Sequence, residues 1–209
     1  MSSLLPAELA WYVTGRFYRR EDGALADYGY FIHIAGIDDT LFCGAAGETT
    51  AYFTFAATPF KAGGIVNGAL TLATDPVGEF SVYLQRTPAG DFNRPESFAQ
   101  GERLATFRRT SMVVGTTVES GSGSTGAPLF GNNVFSAKLL QSTEFEFANR
   151  HYNLAQLLGP GVTQFGTAAA APVLPPANGY VAVVPFSGSA IALARPQGES
   201  LLGLLDALT

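Results

Sequence analysis

Two carboxylates, a histidine and a tyrosine crowd into one short stretch of the chain: Glu144, Glu146, His151 and Tyr152. No other stretch gathers so many groups able to move a proton. On an extended strand Glu144 and Glu146 share a face, about 7 Å apart. Facing an apolar interior, their mutual repulsion and desolvation raise one of the two pKa values. That carboxyl is then poised as a general acid or base near neutral pH. His151 and His33, the two histidines of the chain, are the further candidates for proton transfer. The competing arrangement is the usual one for a strand. Phe145 and Phe147 alternate with the glutamates, and if the phenylalanines face inward both carboxylates face water. The chemistry of the stretch therefore turns on parity.

Other reactive chemistries find less support. A protein metal site takes three or more ligands, and only His33, His151, Glu144 and Glu146 offer themselves, with no H-x-H pair. Residues 121–126, GSGSTG, match G-x-G-x-x-G. The dinucleotide fingerprint also needs a helix next, and Ala127-Pro128 follows instead, so a loop is expected. No cofactor is expected. Cys43 is the single cysteine; it has no intrachain partner, and its neighbours Leu41, Phe42, Gly44 and Ala45 do nothing to activate it.

A binding role is the stronger expectation. The chain holds 16 Phe and 8 Tyr, and a cavity lined by aromatic rings with a few polar groups is the usual small-molecule site. Tyr28, Tyr30, Tyr52, Tyr83 and Tyr152 lie in or beside expected strands. Tyr28 and Tyr30 share a face, and Arg108 between Thr106 and Thr110 could anchor an anion if its face is the interior. Three functions are consistent with these residues. The first is a module binding a small apolar or aromatic ligand. The second is a cofactor-independent isomerase, cyclase or lyase using the acid–base groups above. The third is a structural or assembly subunit.

Composition narrows the setting. Net charge is −5 and no basic stripe is present, which argues against nucleic acid. Charged residues make up only 14%, well under the roughly 25% of ordinary domains. Either the surface is neutral and polar or a homo-oligomer covers part of it. The opening MSSLLPAELAWYV lacks the basic start and apolar core of a secretory signal. No apolar run is long enough for a transmembrane helix. Cytoplasmic location is the default expectation.

The elements that must position these residues read mostly as strands. Residues 8–19 alternate, with Leu9, Trp11, Val13 and Phe17 on one face and Glu8, Tyr12, Thr14, Arg16 and Tyr18 on the other. Glu21-Asp22-Gly23 turns the chain into a return strand over 25–37. Further strands are expected at 48–57, 102–118 and from 133 onward through 147, with a helix opening near His151. Residues 66–73 and 79–86 suggest a hairpin around Asp75-Pro76-Val77-Gly78. Residues 87–101 form a long loop of the kind that serves as a lid or rim. Residues 119–128 read as flexible and 159–178 as irregular, and 179–194 as a final strand pair or bent strand. Residues 198–208 suggest an amphipathic helix. This pattern predicts a single antiparallel β-barrel of about eight strands over residues 1–197, with a C-terminal helix at 198–209 packed on it; a β-sandwich is the alternative. The strand-rich, glycine-turned pattern is similar in architecture to lipocalin-like, allene-oxide-cyclase-like and dirigent-like barrels, and carries no diagnostic motif of any of them.

Overall fold

The structure, a computed structural model, describes residues 8–60, 64–67, 70–74, 78–117, 129–169 and 171–192. The segment 119–128 and the C-terminal helix expected at 198–208 lie outside the described residues. The strands are β1 (Glu8–Arg19), β2 (Leu25–Ile34), β3 (Phe53–Phe60), β4 (Gly64–Asn67), β5 (Leu70–Thr74), β6 (Glu79–Leu84), β7 (Glu102–Thr117) and β8 (Leu129–Ser142). They continue with β9 (Phe145–Phe147), β10 (Arg150–Tyr152), β11 (Gly161–Ala168) and β12 (Ala182–Ala192). A 3-10 turn spans Pro95–Ala99, and one short helix, α1, spans Leu154–Leu158.

Eight of these strands close into an antiparallel barrel, in the order β1-β2-β3-β6-β7-β8-β11-β12 and back to β1. The barrel strands keep the order of the chain, and the edge-strand problem disappears on closure. The β1–β2 hairpin forms as expected: Gly23 takes φ 80°, and the Ala24 amide donates to Asp22 Oδ1. The hairpin expected around Asp75–Gly78 does not form. β5 and β6 both run antiparallel to β7, so they point the same way and cannot be arms of one turn. The reversal lies between β4 and β5, which pair from Gly64↔Ala73 to Asn67↔Leu70.

Residues 161–168 were expected to be irregular and instead form β11. Its inward positions are Val162 and Gln164, and polar Gln164 hid the alternation. Gln164 is buried because its Oε1 accepts from the Trp11 indole N–H at 2.9 Å, which removes the penalty of burying an unpaired amide. β12 runs unbroken through Pro185. That proline pairs with Arg16 on β1, and its carbonyl accepts from Ala169 just past the end of β11. Its missing N–H therefore falls where no ladder bond is required.

The lumen is packed with rings. Trp11 stacks on Phe80 at 5.8 Å and meets Phe31 edge-on at 5.5 Å; Phe55 stacks on Phe80 at 5.3 Å; Phe17 stacks on Phe186 at 4.4 Å. Phe107 and Phe135 complete the layer around Phe80. Beside Phe135 a wholly buried guanidinium, Arg109, pairs with buried Asp27 at 3.2 Å. The barrel also has a second apolar layer, on its outer wall. The 87–101 segment lies across β1, β2 and β3 and buries Tyr18, Tyr28 and Ala56 against Phe92, Phe98 and Tyr180. Three bonds pin it there: Tyr18 hydroxyl to the Phe92 carbonyl (2.9 Å), Thr54 hydroxyl to the Phe98 carbonyl (2.6 Å), and Gln85 Nε2 to the Ser97 carbonyl (2.7 Å).

Beyond β8 the chain does not open a helix at His151. Ala148 and Asn149 both take positive φ (49° and 61°), which makes a tight two-residue hairpin of β9 and β10. The helix starts later, capped by the Asn153 side chain on the Ala155 amide. Ala148 bears a Cβ where glycine is preferred. Ala148→Gly is expected to stabilise the protein by about 1 kcal/mol, read as a higher denaturation midpoint in urea.

Candidate functional site

The parity of the opening stretch is resolved. Phe145 is buried and Phe147 packs partly against the core, while Glu144 and Glu146 are exposed. Phe53 supplies the inward partner, 5.9 Å from Phe145 and 4.9 Å from Phe147. His151 lies 3.6 Å from Glu144, but both side chains are 70% exposed. In water such a pair is worth little and creates no shielded site. His33 is also on the outside. A bulge puts Tyr12 opposite His33 and Val13 opposite Phe31, so Ile32 is an extra residue and both Ile32 and His33 face solvent. The four acid–base candidates are therefore not brought to one enclosed place. Among the described residues no group of three His, Cys, Asp or Glu side chains is positioned to hold a metal ion.

The aromatic candidates also separate. Tyr28, Tyr30 and Tyr83 face outward, away from the ring-filled lumen. Tyr52 and Tyr152 sit with the first core cluster, Tyr52 against Phe147 at 5.4 Å and Tyr152 stacked on Phe145 at 5.7 Å. Arg108 is exposed, opposite Glu79 on β6 and Lys138 on β8. Arg109, its neighbour, is the inward arginine.

Two concave places on the outer wall are lined by described residues. The first is a small pocket of about 220 Å³ between the wall and the 3-10 turn, lined by Tyr28, Ser81, Tyr83, Glu79, Glu96 and Arg103 among others. Glu79, Ser81 and Tyr83 reach it from alternate positions of β6. Glu96 hangs from the 3-10 turn, and its Oε1 accepts from the Tyr180 hydroxyl at 3.0 Å. The Arg20 guanidinium lies over the Tyr180 ring, 5.6 Å from its centre, and Tyr28 and Tyr180 share the buried outer-wall cluster. Burial pushes the Tyr28 and Tyr180 hydroxyls above the ordinary phenol range. Near neutral pH they are therefore proton-bearing donors, and nothing in the pocket activates them as bases.

The second place is a trough of about 670 Å³ running along β12. Its floor is Ser187, Gly188 and Ser189. Ser189 pairs with Tyr12 on one side and with Phe165 on the other, so those two rings rise from the strands flanking the floor. Ile32 extends the first wall and Val134, opposite Phe165 on β8, extends the second. These four are among the exposed large apolar side chains of the protein, at 47% (Tyr12), 48% (Ile32), 46% (Phe165) and 36% (Val134). Adjacent strands lie about 4.8 Å apart, so the two aromatic walls stand roughly 10 Å apart at the backbone.

No family model, curated protein or solved structure matches this chain.

Sequence reasoning did not single out the trough. Its signal was present, however. SGS at 187–189 gives a strand two outward hydroxymethyls and nothing larger, and Phe165 stands at an outward position of a strand that was expected to be loop. The pocket was half seen: Tyr28 and Tyr83 were named for a ligand, but inside the barrel. Glu96, Arg103 and Tyr180 come from segments that no periodicity joins to them.

Proposed function

We propose that the protein is a binding module, taking a small, planar, largely apolar or aromatic ligand in the outer-wall trough. One observation carries the reading: a strip of small residues on β12 is flanked by two exposed aromatic walls, with a gap suited to a flat ring between them. Offset or edge contacts with Tyr12 and Phe165 add to the area such a ring removes from water. The Ser187, Ser189 and Thr167 hydroxyls and the Tyr12 phenol would orient one or two polar groups of the ligand. The ring-packed lumen leaves an in-barrel site without support, and the exposed Glu144–His151 pair gives none to acid–base catalysis.

A ligand of about ten non-hydrogen atoms at roughly 0.5 kcal/mol per atom binds with a Kd on the order of 0.2 mM. Titration of the protein with naphthol, naphthalene and indole, followed by NMR shifts, tests this. Saturable binding is expected, with shifts centred on residues 187–189. Ser189→Phe fills the floor and should abolish that binding while leaving the melting temperature within a few degrees, since the position faces outward. If none of the three probes saturates, the reading is overturned. It is also overturned if Ser189→Phe binds like the parent, or if the trough proves to be buried by self-association in sedimentation experiments.

A further inference from the structure

The pocket beneath the 3-10 turn shares no lining residue with the trough and calls for a different ligand. Its charges are of both signs: Glu79 and Arg103 reach it from adjacent barrel strands and Glu96 from the cover. Neither Glu79 nor Arg103 forms an ion pair among the described residues. Glu96 is oriented in advance, because the buried Tyr180 donates to one of its oxygens at 3.0 Å. The other oxygen of Glu96 makes no hydrogen bond among the described residues. A plain cation entering the pocket would meet Arg103, and a plain anion would meet two carboxylates. A molecule carrying both charges answers both. The volume of about 220 Å³ equals roughly seven waters at about 30 Å³ each, which sets the ligand at about ten non-hydrogen atoms.

We propose that this pocket binds a zwitterion of free amino-acid size, its ammonium at Glu79 and Glu96, its carboxylate at Arg103, and its apolar part against Tyr28 and Tyr83. Charge-assisted bonds to both ends select for the zwitterion over either half, and the tyrosine rings attract the ammonium as well as the apolar part.

The test is calorimetric titration of the full chain with leucine, with isoamylamine (leucine without its carboxylate) and with isocaproate (leucine without its ammonium). Leucine is expected to saturate, and each half-molecule to bind at least about tenfold more weakly. Glu79→Gln and Arg103→Gln, both at exposed positions, should each weaken leucine about tenfold. Glu79→Gln should leave isocaproate no weaker than before. Tyr180→Phe, which frees Glu96 to turn, should weaken leucine by a smaller factor. The proposal is overturned if leucine fails to saturate at its solubility limit. Equal binding of all three probes, or unchanged affinity in both charge variants, would overturn it as well.

Discussion

Arg109→Met is expected to lower stability by about 3–5 kcal/mol at pH 8, and the deficit should shrink as the pH is brought down to 6. Arg109 and Asp27 face each other at 3.2 Å inside the barrel with side-chain exposures of 0% and 2%. Burial pushes the Asp27 carboxyl up from 3.8 to about 6, and Arg109 offsets only part of that rise. A carboxyl whose folded pKa is raised contributes stability that is complete below its unfolded pKa and lost as the pH climbs through the folded one. In the parent protein that loss runs from about pH 4 to about pH 6. Without Arg109 the folded pKa moves higher still, so the loss continues past pH 6 and the two curves separate there. Each further pH unit opens the gap by about 1.4 kcal/mol until the variant's own carboxyl has titrated. Urea denaturation between pH 5 and pH 8 reads this directly. At about 2–4 °C per kcal/mol for a chain of this size, the melting temperature at pH 8 falls by roughly 6–20 °C. A gap of constant size across the range would mean that Asp27 is not the titrating group. The double variant Asp27→Leu/Arg109→Met makes the complementary point. Desolvation outweighs attraction at Asp27, so removing both charges should restore the parent's stability or exceed it by about 1–4 kcal/mol.

This buried pair also shows where parity reading from sequence succeeds and where it stops. The β1–β2 hairpin was legible because Trp11, Val13 and Phe17 alternate cleanly and Gly23 marks the turn. The barrel class was legible for the same reason repeated around the chain. Arg108 was an anion-anchor candidate only if its face were the interior; it faces outward, and the inward arginine is Arg109. Phe107 and Arg109 share the inward parity of β7, but with an arginine on each face the sequence does not say which face is inward. On β2 the extra residue at Ile32 carried His33 to the outside, and no local composition announces it.

The tyrosines illustrate a second limit. Alternation assumes that a strand has one wet face. At Tyr18 on β1 and at Ala26 and Tyr28 on β2 the outward face is itself dry, because residues 87–101 and Tyr180 cover it there. Tyr18 is 0% exposed and Tyr28 4%, although both stand opposite the lumen. From the sequence, a tyrosine so placed is indistinguishable from one lining an interior cavity. The long-range bonds from Tyr18, Thr54 and Gln85 to the covering segment separate the two cases. The pocket at Glu96 exists because of that cover, so it shared in its invisibility.

Gly29→Ala should destabilise the barrel by more than about 3 kcal/mol, at or beyond the upper end of ordinary overpacking. Gly29 and Gly15 stand opposite each other on β2 and β1, both facing the lumen, and the Phe55 ring lies over the two of them. A Cβ on Gly29 would come within 2.7 Å of Phe55 Cζ and 2.6 Å of the Gly15 Cα, and would also press on the Thr14 carbonyl. The ring could give way only by leaving its stack on Phe80 and its edge contact with Phe31. The backbone contacts cannot give way without parting β1 from β2. A lumen filled with this many rings needs places on the wall where no side chain stands, and this glycine pair is one of them. Gly179→Ala supplies the control. Gly179 has φ 84° and nothing within 4 Å of an added Cβ, so its cost is backbone strain alone, about 1–2 kcal/mol. Combining Gly29→Ala with Phe55→Leu should recover the part of the loss due to the ring and none of the part due to Thr14 and Gly15, a coupling that a double-mutant cycle measures. Equal midpoints for Gly29→Ala and the parent would show that β1 and β2 can separate freely here, and the close-packed lumen described above would be wrong.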